Sequence, residues 1–115
     1  MELEAALIKA GDLFADKTAA SDEETISVLA DTAGARIEKI LSTGQANPAG
    51  FWYDQDFTEW VFLLSGSAGV WIEGEDAPRV LRPGAYLEIP ARLRHRVEWT
   101  DAKQQTLWLS VHVKQ

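Results

Sequence analysis

From Ala35 to the C-terminus, short apolar runs are separated by glycine- and proline-marked turns at roughly ten-residue intervals. The runs cover residues 35–42, 59–64, 68–73, 79–81, 86–89, 94–99 and 106–113. Between them lie the turn cluster 44–50, Ser65-Gly66-Ser67, residues 74–78, Arg82-Pro83-Gly84, Pro90 and the polar loop 100–104. Roughly seven or eight short strands with such turns predict an all-β sandwich or barrel. Ser65-Gly66-Ser67 is short enough to join its two flanking strands as a hairpin. At 115 residues, the chain suits one domain with one core.

Before Ala35 the pattern changes. Leu3, Ala6, Leu7 and Ala10 recur at helical spacing until Gly11. Residues 12–20 form an irregular connector whose Leu13 and Phe14 are expected to dock on the body. Ser21 and Glu24 match a capping box, which predicts a short helix over 22–30 with Ile26, Leu29 and Ala30 on its apolar face. Val28, being β-branched, argues for a strand instead. The expected organisation is a helical extension over 1–34 and a barrel over 35–115, together one structural domain.

Residues two apart in a strand share a face. Glu59, Val61 and Leu63 therefore lie together, as do His95, Val97 and Trp99 on another strand. Each set is apolar with one polar residue at its end, the pattern of a barrel interior with polar groups near the mouth. Expected pocket-lining residues are Trp52, Val61, Leu63, Val97 and Trp99. Opposite Glu59, the set Trp60, Phe62 and Leu64 is also apolar, so both faces of this strand need cover. A barrel covers only the inner face. The N-terminal segments or a second subunit must cover the other, which predicts a homodimer. In the last strand, Leu107, Leu109, Val111 and Val113 form the more apolar face and are expected to be core. His112, the only other imidazole in the chain, then belongs on the outer face or in a subunit contact, the alternative being that it joins the site.

These motifs resemble the cupin family of small β-barrels. Its first motif runs glycine, five residues, His-x-His, three or four residues, Glu, six residues, Gly, and Glu59 and Gly66 match its end. Its second runs Gly, five residues, Pro-x-Gly, two residues, His, three residues, Asn. Gly84, Pro90 and His95 match that motif, with Arg92 at the glycine position and Trp99 at the asparagine position. Residues 51–55 followed by Glu59-Trp60-Val61 are similar to a subgroup of small single-domain cupins. The resemblance implies a double-stranded β-helix, or jelly-roll barrel, over about residues 35–113. It also implies a divalent metal such as Mn, Fe, Zn or Ni, held by the motif histidines and the glutamate. With the three-residue spacer Tyr53 and Gln55 stand at the two first-motif histidine positions, and with the four-residue spacer Trp52 and Asp54 do; the first keeps them on the parity of Glu59, and only Glu59 and His95 carry over as ligands.

Two chemistries follow for the pair. Gln55 can add a carbonyl oxygen to Glu59 and His95 to make a metal site. Alternatively Glu59 and His95 form a buried metal-free pair that moves protons, with Tyr53 alongside. The absence of cysteine excludes thiolate ligands and disulfides. A net charge of −7 argues against nucleic acid, and residues 79–96, which carry five arginines, read as a solvated strand face. No apolar run reaches membrane-spanning length, and the acidic start is unlike a signal peptide, so a cytoplasmic protein is expected. Phosphate-binding glycine loops and nucleophile elbows are missing. The expected function is binding of a small organic ligand, with metal-dependent oxygenase or isomerase-like chemistry. The alternative is a non-enzymatic, metal-free sensing or binding module.

Overall fold

The computed structural model describes residues 7–15 and 23–114. The strands are β1 (Thr25–Asp31), β2 (Ala35–Ser42), β3 (Thr58–Ser65), β4 (Ala68–Ile72), β5 (Arg79–Leu81), β6 (Tyr86–Ile89), β7 (His95–Thr100) and β8 (Thr106–Val113). They form a five-stranded antiparallel sheet in the order β1-β2-β8-β3-β6 and a three-stranded sheet in the order β5-β4-β7. An isolated bridge between Tyr53 and His95 lays the segment before β3 along the free side of β7. Asn47 N–H extends this contact by donating to the Val97 carbonyl at 2.9 Å.

The 65–67 connection is not a hairpin. β3 pairs with β6 and β8, whereas β4 pairs with β5 and β7. The chain crosses from one sheet to the other at Gly66, which has φ +83° and sits against Thr106. A Cβ there would come within 2.6 Å of the Thr106 Cα, so only glycine permits the crossing. The β5–β6 and β7–β8 connections also change sheets, giving the jelly-roll path.

The N-terminal region differs from its expectation. Among the described residues there is no helix, and 25–31 is a strand paired antiparallel with β2, with a register shift between Val28 and Ala30. Pairing with β2 satisfies the backbone groups that a short helix would leave open at its ends, and it suits Thr25, Ile26 and Val28. The first predicted helix falls partly on residues outside the described set, as does the start of the second. Leu13 and Phe14 form a surface hollow with Leu41, Ser65 and Leu107 on the outer side of the larger sheet.

The core lies between the sheets and consists of Val61, Leu63, Ala68, Val70, Ile72, Leu81, Ile89 and Trp108. Leu63 is fully buried and Trp108 is 3% exposed. Trp108 thus faces inward, and with it Ser110 and His112, opposite to the expectation for β8. Among the described residues, no helix is long and apolar enough to cross a membrane.

Candidate functional site

A cavity of about 180 Å³ adjoins the core between the sheets. Its apolar wall includes Ile40, Val61, Val70, Ile89, Val97 and Trp108, and its polar wall includes Tyr53, Gln55, Glu59, His95 and His112. Strand register explains the polar wall. Glu59 on β3 is the direct cross-strand partner of His112 on β8, and Ser110 is that of Glu38 on β2. These four side chains share the inner face of one sheet. His95 opens β7 in the other sheet and reaches across.

Glu59 is 8% exposed and collects three donors. The His95 Nε2 lies 3.5 Å from its Oε1, and the His112 Nε2 lies 3.6 Å from its Oε2. The Ser110 hydroxyl donates to Oε2 at 2.5 Å. Burial opposes ionisation of this carboxyl and is the largest single influence. Hydrogen bonds from His112, His95 and Ser110 outweigh it and hold the pKa at about 2. His112 also stands 3.7 Å from Glu38 Oε1 and stacks on Phe57 at 4.4 Å.

The His95 ring is fixed from behind. Its Nδ1 lies 3.0 Å from the Leu93 carbonyl, which can only accept, so Nδ1 carries a hydrogen. Nε2, the nitrogen that faces Glu59 and the cavity, donates to Glu59 when the ring is protonated and offers its lone pair when the ring is neutral. Tyr53 stacks on the imidazole at 5.3 Å between ring centroids. Burial raises its phenol pKa, and Glu24, Glu59 and Glu38 push it the same way against a hydrogen bond from Asn47. Tyr53 therefore stays protonated.

Of the residues expected at the site, Tyr53, Gln55, Glu59, Val61, His95 and Val97 line one cavity. Trp52, Leu63 and Trp99 lie elsewhere. Trp52 carries the guanidinium groups of Arg94 and Arg96 over its ring at 5.7 and 5.8 Å, and Leu63 is packed in the core. Trp99 is displaced by a register shift between Gly69 and Val70, and its indole occupies the space a Cβ would take at Gly69. Sequence reasoning missed Glu24, Glu38 and Ser110 and set His112 aside. The parity of Glu38 with Ile40, and of Ser110 with Trp108, was the available signal.

The donor set does not fit a metal. Each Glu59 oxygen has its own imidazole partner, at 3.5 and 3.6 Å. Among the described residues, no group of three or more His, Asp or Glu side chains is arranged to hold a metal ion. The arginine-rich face is also committed. Arg79, Arg92 and Arg94 pair with Glu75, Asp54 and Glu73, and Arg96 lies beside Glu98.

Comparison with known proteins agrees with this architecture. The family model for the cupin domain matches residues 43–112. A solved structure from Ralstonia eutropha JMP134, described as a candidate mannose-6-phosphate isomerase, is 50% identical. That match covers 94% of this chain and all of the other, with a TM-score of 0.91. A cupin superfamily protein from Desulfitobacterium hafniense DCB-2 is 16% identical, covering 85% of this chain and 84% of its own, with a TM-score of 0.70. An RmlC-like cupin with a double-stranded β-helix from Methanocaldococcus jannaschii is 13% identical, covering 82% and 83%, with a TM-score of 0.67. No curated protein is matched. With two sheets wound as a jelly roll and the family model spanning more than half its length, the chain belongs to the cupin family.

Proposed function

We propose that this cupin binds a compact organic molecule in its barrel cavity and shifts a proton on it, without a metal, as an isomerase does. The observation that carries the reading is the buried, ionised Glu59 set against the cavity-facing Nε2 of His95. His95 takes a proton from a carbon next to a carbonyl and returns it to the neighbouring carbon. Glu59 stabilises the imidazolium formed in between, a role that its low pKa permits. Tyr53, stacked on His95 and protonated, donates its proton to the carbonyl oxygen as the enediol forms and takes the proton of the neighbouring hydroxyl as it collapses, so that the oxygen proton moves together with the carbon proton. The isomerase description of the 50%-identical relative supports the reaction class.

The test is solvent deuterium exchange. In heavy water, small hydroxy ketones and hydroxy aldehydes incubated with the protein gain carbon-bound deuterium, read by NMR. His95→Ala slows the exchange by at least about 100-fold. A ligand that binds without any exchange refutes the proton transfer and leaves the sensing or binding module.

A further inference from the structure

Resting on the reading that the cavity binds a ligand, we infer that it selects a compact hydroxylated amine and rejects phosphorylated or carboxylated molecules. Three carboxylates face the cavity, Glu24, Glu38 and Glu59, and two imidazoles, those of His95 and His112. Glu38 is ion-paired to Arg36, and with the rings neutral the other two carboxylates, Glu24 and Glu59, leave the lining negative. Among the described lining residues there is no lysine or arginine. Of the nearby cations, Arg36 offsets Glu38 by donating to its Oε2 at 2.7 Å, whereas Lys39 faces the hollow on the outer side of the sheet and Arg94 and Arg96 lie over Trp52. A phosphate entering this space would meet Glu24 and Glu59 with no lysine or arginine among the described lining residues to offset them. The same field already acts on Tyr53, whose phenolate Glu24, Glu59 and Glu38 all disfavour.

Size points the same way. A cavity near 150 Å³ holds a benzene-sized guest, so about 180 Å³ suits roughly six to eight non-hydrogen atoms. The entrance is beside β1, where Ile26 both lines the cavity and is 54% exposed. Glu24, the carboxylate nearest that entrance in sequence, accepts a hydrogen bond from Ser42 at 2.7 Å, which fixes it in place. An ammonium group would pass Glu24 and settle against Glu38 or Glu59, with its hydroxyls toward Tyr53 and Gln55.

A matched set of probes tests this: aminopropanediol, glycerol, glycerate and glycerol phosphate. Binding is followed through the NMR signal of the Trp108 indole N–H, which donates to Ser42 inside the barrel. The amine is expected to bind at least tenfold more tightly than glycerol, and both anions at least tenfold more weakly than glycerol. Glu38→Gln should reduce the amine to the level of glycerol. Glu24→Gln, at the less buried edge strand, should do so in part if Glu38→Gln fails to fold. Tight binding of glycerate or glycerol phosphate overturns the inference while leaving the ligand-binding reading intact. An amine preference unchanged in both variants overturns it as well. If no probe of any charge perturbs Trp108, the ligand-binding reading fails and the inference falls with it.

Discussion

Glu59 is the residue on which stability and the proposed chemistry both turn. Its pKa falls from an ordinary 4.5 to about 2 in the folded protein. A depressed carboxyl stabilises the fold above its unfolded pKa, and this contribution is lost as pH falls through the folded value. The window is therefore about pH 4.5 down to about 2, and the loss is roughly 3 kcal/mol. Urea unfolding at pH 5 and pH 2.5 should show about two-thirds of that drop in the wild type and a clearly smaller one in Glu59→Gln. A second residue-scale prediction concerns Arg92, at φ 69° the one non-glycine residue with positive φ among those described. It occupies the position where the cupin motif has glycine. Arg92→Gly should leave stability within about 1 kcal/mol, because relief of strain offsets a floppier unfolded chain and a lost surface ion pair. Arg92→Val should cost about 1–2 kcal/mol, read as a shift in the urea midpoint.

Among the elements, β3 was legible and β8 was not. Along β3, alternation put Glu59, Val61 and Leu63 on the inner face, where the structure has them. The same rule applied to β8 chose the wrong side, because the more apolar face was assumed to point inward. A strand that walls a polar cavity inverts that rule: Ser110 and His112 point in, while Leu109 and Val111 share the outer face. Trp99 failed for a different reason. A register shift moves every later side chain, and Gly69, the residue that permits it, was read only as part of a strand. Glycine also decides the sheet crossing after β3. Gly66→Ala combines positive φ with a clash against Thr106 backbone, whereas Gly84 at φ +94° has open space around it. Thermal unfolding should therefore show Gly66→Ala destabilised by at least about 2 kcal/mol and Gly84→Ala by about 1 kcal/mol.

For the molecule as a whole, the outer face of the larger sheet remains to be covered. Trp60, Phe62 and Tyr86 stack on it with centroids 6.0–6.3 Å apart, and Tyr86 is 61% exposed. We propose that a second copy packs here, since an aromatic patch of this kind is costly to leave in water. Light scattering should give twice the monomer mass for the wild type and the monomer mass for Phe62→Arg. A monomeric wild type at micromolar concentration would refute the dimer. The sequence by itself determined the all-β class, the turn positions and the pairing of Glu59 with His95 in one interior. Those depend on local alternation and on glycine and proline chemistry, which are written residue by residue. Tertiary structure alone decided which sheet each strand joins, that residues 25–31 pair as an edge strand, and that His112, Glu38 and Ser110 complete the cavity. Those outcomes depend on register between strands far apart in the chain, where a one-residue shift reverses every side chain.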